Sequence, residues 1–274
     1  MKTLRIAFAS AAATLVLGIA VSPLAAHRLW MLPSTTIVAT GDAWVTFDAA
    51  ASNDIFYPDH QPLRAEPQVT APDGTAAKVE NFSVGRYRST FDLHLTQPGT
   101  WRLALVNSGM SGSYKVGTEE KRLPRGTTAD QIATLVPAGA TDVRLAETSN
   151  RNEVFVTSGA PTDTVLKGSG QGLELAQGST HPNDLVANEP ATLAFTLDGK
   201  PAAGLTVTLV PGGGRYRSAV GEMTLTTDAA GKVAVNWPMP GMYWVNTTAT
   251  GKSSSIPNGE RRLSYTTTLE VLGS

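Results

Sequence analysis

Short segments in which apolar and polar residues alternate recur along most of this chain, each closed by a Gly, Pro or Asp turn. Trp44-Val45-Thr46-Phe47, Phe91-Asp92-Leu93-His94-Leu95 and Trp101-Arg102-Leu103-Ala104-Leu105 show it in the first half. Thr192 to Leu197, Leu205 to Leu209 and Lys232 to Trp237 show it in the second. A period of two turns one side of each segment to a core and the other to water, which a helix of period 3.6 cannot do. Pro72-Asp73-Gly74, Pro98-Gly99, Asp198-Gly199-Lys200-Pro201, Asp228-Ala229-Ala230-Gly231 and Pro240-Gly241 supply the turns. With 26 Gly and 17 Pro among 274 residues, the turns are many and the strands short. The expected fold class is all-β, built as two immunoglobulin-like or related Greek-key β-sandwiches.

An internal repeat supports two units. Gly85-Arg86-Tyr87-Arg88-Ser89 recurs unchanged as Gly214-Arg215-Tyr216-Arg217-Ser218, and Pro98-Gly99-Thr100-Trp101 has a partner in Pro240-Gly241-Met242-Tyr243. The sandwiches are expected at 27–116 and 168–274. Between them, 117–167 is expected to be a connecting region packed on both. Thr127-Thr128-Ala129-Asp130 offers a capping residue to a short helix over Gln131–Leu135, which Pro137 and Gly139 stop. Asp142 to Phe155 has room for one or two further strands.

Residues 1–26 read as a secretory signal peptide. Lys2 and Arg5 precede the nearly unbroken apolar stretch Ile6–Val21, and Pro23-Leu24-Ala25-Ala26 gives a peptidase its small residues. Cleavage after Ala26 makes His27 the first residue; cleavage after Ala25 exposes Ala26-His27. The stretch is short for a membrane span and no run of 18 apolar residues comes later, so the mature chain is expected in the periplasm and not as an integral membrane protein.

Composition narrows the chemistry. Lys+Arg number 22 and Asp+Glu 23, with no basic run, so nucleic acid is not an expected partner. There is no Cys, which excludes disulfides, thiolate metal sites and a cysteine nucleophile. No Gly-x-Ser-x-Gly elbow, phosphate-cradling loop or His-x-x-x-His pair occurs. The chain is not expected to be an enzyme.

The four histidines carry the functional information. His94 sits between Leu93 and Leu95 and should project from the polar side of a strand beside Asp92. His60 lies in a loop bracketed by Pro58 and Pro62, and His181 is followed by Pro182. A rigid loop positions a ligand, although polar loop residues with ordinary hydrogen bonds fit equally well. His27 is unusual because cleavage brings it to the terminus. As first residue, its α-amine and Nδ1 chelate one ion in a single ring, and one more histidine completes a T-shaped nitrogen site suited to copper. With Ala26 first, the amine, the amide nitrogen and the imidazole form a planar set that favours Ni²⁺ or Cu²⁺. The alternative is that Ala26-His27 is only the edge of the leader. The candidate metal residues are Ala26, His27, His60 and His181.

The start Ala26-His27-Arg28-Leu29-Trp30-Met31-Leu32-Pro33 resembles the Ala-His-x-x-Trp-Leu-x-Pro opening of an exported family described as the periplasmic component of a cobalt/nickel ABC transport system. Ser52 to His60 and Gly172 to Leu185 fit it too. Asp198-Gly199-Lys200-Pro201, Thr227 to Gly231 and Pro240 to Trp244 are similar to its C-terminal transthyretin-like or peptidase-regulatory-like sandwich. The resemblance implies capture or delivery of Ni, Co or Cu as a divalent ion, with a membrane transporter or outer-membrane receptor as partner. The N-terminal metal motif resembles that of the nickel-uptake subunit M family, whose transmembrane helices this chain lacks. Two other readings stand beside it: a copper-brace oxidase acting on polysaccharide, and a scaffold or adhesion pair of sandwiches without ligand.

Overall fold

The computed structural model describes residues 27–257 and 259–274; the expected leader 1–26, Ala26 included, lies outside them. In the N-terminal part the strands are β1 (Arg28–Pro33), β2 (Ile37–Val38), β3 (Ala43–Ser52), β4 (Gln61–Pro62), β5 (Gln68–Thr70), β6 (Ala76–Ala77), β7 (Glu80–Val84), β8 (Ser89–Leu95), β9 (Gly99–Val116) and β10 (Glu119–Arg122). The 18-residue β11 (Thr141–Ser158) comes next. Then come β12 (Leu173–Leu175), β13 (Pro190–Leu197), β14 (Lys200–Pro201), β15 (Thr206–Pro211), β16 (Met223–Thr226), β17 (Lys232–Asn236), β18 (Gly241–Lys252) and β19 (Glu260–Val271). One short α-helix, α1 (Ile132–Leu135), continues a 3₁₀ turn over Ala129–Gln131, and the Thr128 amide donates to Gln131 Oε1 at 3.0 Å.

The fold is all-β and forms two sandwiches. A ten-stranded sheet runs β16-β15-β18-β19-β11-β9-β5-β6, with β10 beside β9 and β2 beside β11. A five-stranded sheet, β1-β3-β8-β7 with β4 beside β3, covers the N-terminal end of it. A four-stranded sheet of β12, β13, β14 and β17 covers the C-terminal end. Alternation does its expected work in β8, whose burial switches at every residue, sending Phe91, Leu93 and Leu95 into the N-terminal core with Phe47, Trp101 and Leu103. The C-terminal core gathers Leu193, Phe195, Leu209, Val235, Tyr243 and Tyr265. A third cluster joins the halves: Trp30, Ala50 and Ile55 from one side, Val210 and Trp244 from the other.

Two expectations need revision. The region 117–167 is not merely a connection, because β11 inside it lies at the middle of the shared sheet, antiparallel to β9 and parallel to β19. Val154 and Val156 face the N-terminal core while Phe155 faces the C-terminal one, so residues 152–158 are buried on both sides. The pentapeptide repeat is not structurally equivalent. Gly85–Arg88 forms the turn between β7 and β8, with Gly85 N–H donating to Arg88 O at 2.9 Å, whereas Gly214–Tyr216 is a 3₁₀ turn after β15. The other pair does correspond. Gly99 and Gly241 both open long strands at positive φ (115° and 135°), where a side chain is strained. Two residues on, the buried Trp101 and Tyr243 each donate to the carbonyl four residues back, Gln97 at 3.2 Å and Met239 at 2.8 Å.

Candidate functional site

His27 is held in place by strand β1. Trp30 and Met31 are adjacent and both fully buried, one in the joining cluster and one in the N-terminal core, so β1 is gripped on both sides. Trp30 Nε1 donates to Ser52 Oγ at 2.7 Å, and Trp244 Nε1 of the C-terminal sandwich donates to Leu29 O at 2.9 Å. Arg28 pairs with Glu222 at 3.0 Å and lies over the Trp244 ring at 5.2 Å. The strand therefore delivers His27 to one place, just before the register Arg28↔Ser52.

His60 arrives there from the other edge of β3. The loop after β3 folds back through Tyr57 N–H to Asp54 O at 3.3 Å, and Phe56 takes φ +58° with its ring edge-on to Trp30 at 5.7 Å. Asp59 accepts from Asn53 N at 3.0 Å and from Asn53 Nδ2 at 3.2 Å, closing the loop. Strand β4 then pairs with Ala50 and Ala51. The outcome is a stack: the His27 and His60 rings lie with centroids 3.5 Å apart and planes 7° from parallel. Both histidines are exposed. In-plane lone pairs of parallel rings do not converge, so a shared ion requires one ring to turn about its side-chain torsions, which exposure permits. Asp59, next to His60 in the chain, holds Asn53.

His181 does not join them. Its Nδ1 accepts from the Asn183 amide at 3.1 Å, and its Nε2 faces Thr100 Oγ1 at 3.1 Å and Thr162 O at 3.4 Å. Both nitrogens are engaged within the protein. Burial pushes its imidazole below the ordinary value, against the raising influence of the Thr162 carbonyl, Asp163 and Asp184. His181 thus locks the start of the C-terminal sandwich to the buried Thr100–Thr157 pair, themselves 2.9 Å apart. His94 stacks on Trp44 with centroids 4.2 Å apart and bonds Asp42, away from the pair. Among the described residues no group of three or more His, Asp or Glu side chains is placed to hold a metal ion. Two imidazoles are brought together.

A cleft of about 450 Å³ opens between the 53–57 loop and the 211–222 loop of the other sandwich, with Arg28 of β1 in its lining. Nothing local in the sequence relates those loops, since the contact spans more than 150 residues.

The family described as a domain of unknown function (DUF4198) matches residues 24–251. No curated protein matches the chain. Among solved structures, the D0-D1 domain of intimin is 15% identical, with 88% of this chain and 97% of that one covered and a TM-score of 0.21. A DUF4785 family protein from Legionella pneumophila is 9% identical over 78% and 50% of the two chains, with a TM-score of 0.24. Escherichia coli alpha-2-macroglobulin is 14% identical over 91% and 16%, with a TM-score of 0.23. Scores this low carry no functional argument.

Proposed function

The chain belongs to the DUF4198 family, and from that premise we propose that it is an exported protein that binds one divalent transition metal, Ni²⁺, Co²⁺ or Cu²⁺, for uptake or delivery. The ligands are the mature terminal amine, His27 and His60. The observation that carries this reading is the His27–His60 stack, which two distant segments converge to make. An amine and an imidazole on one residue chelate with little ordering cost, and His60 adds the third nitrogen of a T-shaped or planar set. With no Cys in the chain, nitrogen and oxygen donors remain. A membrane transporter or outer-membrane receptor is the partner that delivery implies; among the described residues no helix is long and apolar enough to cross a membrane.

Metal titration of the mature protein and two variants tests it. His60→Ala should weaken binding at least tenfold and His94→Ala should leave it unchanged; equal loss in both would sink the assignment.

A second reading, a copper-brace oxidase, is favoured by one observation: Tyr57 and Tyr216, exposed at 39% and 90%, line one cleft together with Arg28, the residue after His27. Reductant-dependent peroxide production by the copper-loaded protein, absent from His60→Ala, would select it.

A further inference from the structure

The second copy of the repeated pentapeptide forms one wall of the cleft between the sandwiches. Arg217 turns inward and staples its own loop, donating to the carbonyls of Pro211 (2.9 Å), Gly212 and Val220 (3.0 Å), while Gly212 N–H donates to Met242 O at 2.7 Å. The facing wall is a turn that Tyr57 N–H closes onto Asp54 O at 3.3 Å, with Asp59 holding Asn53 just ahead of it. Loops fixed in this way present their remaining side chains in set positions. Arg215 reaches across to lie over Tyr57, its guanidinium carbon 4.0 Å from the ring centre. Among the described residues its N–H groups make no hydrogen bond or ion pair. The Asp54 carboxylate, at the other end of the Tyr57 turn, has no such partner either.

Two opposite charges thus line one concavity without meeting. The other two charged residues of the lining, Arg28 and Glu222, neutralise each other at 3.0 Å. A simple anion would satisfy Arg215 and be repelled by Asp54, and a simple cation would do the reverse. A ligand that carries both an ammonium and a carboxylate satisfies both walls. Its carboxylate matches the guanidinium fork with two parallel N–H···O bonds, and its ammonium donates to the Asp54 oxygens. Phe56, Tyr57, Tyr216 and Val220 give the same cleft an apolar surface for a side chain. Its volume of about 450 Å³ falls within the range of small-ligand sites, and a junction between domains is where such sites form.

We propose that this cleft binds a small zwitterion, an amino acid or a short peptide, with Arg215 gripping its carboxylate and Asp54 its ammonium. No metal takes part, so the site stands apart from the histidine pair. Isothermal titration tests it on the chain beginning at His27 with no metal added. The probes are leucine and the tripeptide Ala-Leu-Ala, each also in its N-acetylated and C-terminally amidated forms. At least one free probe should bind at least tenfold more tightly than both of its capped forms, and which one binds distinguishes a free amino acid from a peptide. Arg215→Ala should lose the preference for the free over the amidated form, and Asp54→Asn the preference for the free over the acetylated form. Arg215→Lys should recover only part of the loss, since an ammonium lacks the fork. Both side chains are exposed, so the variants should unfold at the parent's temperature. No binding of either free probe, equal binding of free and capped forms, or variants that keep the parent's preferences would each overturn the proposal.

Discussion

His181 engages both ring nitrogens inside the protein, and that fixes its protonation state. With Nδ1 accepting from the Asn183 amide, the ring proton is on Nε2, facing Thr100 and Thr162. Protonating Nδ1 would set two N–H groups against each other in a half-buried site. Burial accordingly holds the group below the ordinary imidazole value of 6.5. In the unfolded chain the ring regains that value, so below it the unfolded state binds the proton more readily. Stability should therefore decline as pH falls from about 6.5 toward the folded-state value. Denaturant unfolding at pH 7.5 and 5.5 checks this: the parent should lose more stability across that interval than His181→Gln, and equal losses would contradict it. Metal affinity should not change in His181→Gln. The sequence does not sort the loop histidines, because a proline neighbour signals a rigid loop without saying where its ring ends up. His60 and His181 look alike in sequence, yet one meets another imidazole and the other meets a threonine pair.

At the level of elements, β11 is the hardest strand to read and the most central. Its sequence Arg151-Asn152-Glu153 looks solvent-facing, but Arg151 bridges Glu153 at 2.8 Å and Glu174 at 3.5 Å inside the protein. A strand buried on both sides has no alternation to detect, and the threonines at 266–268 of β19, buried beside it, hide in the same way. One-sided strands such as β8 and β17 are legible because water still faces half of each. Phe155→Ala should cost about 3–5 kcal/mol, as other truncations of a buried phenylalanine do. Since the same strand serves both cores, the variant should shift one cooperative unfolding transition to lower temperature. Two separate transitions with only one displaced would mean that the sandwiches unfold independently.

Over the whole molecule, the junction between the sandwiches does more than hold them together. Trp244 clamps β1 from the second sandwich, Trp30 and Phe56 tie the 53–60 loop to β1, and the 211–222 loop walls the cleft. The histidine pair and the cleft are thus products of tertiary contacts between segments distant in the chain, and of these residues only His27 stands out in the sequence. The proposed metal site makes the mature terminus itself a ligand. It is tested most directly by titrating Ni²⁺ or Cu²⁺ into the chain beginning at His27 and into the same chain carrying Gly-Ser-Gly-Ser ahead of it. Four residues move the amine up to about 14 Å from the imidazoles while changing no side chain of the protein. One ion per chain is expected for the first and at least tenfold weaker binding for the second; equal affinity in both would contradict the account.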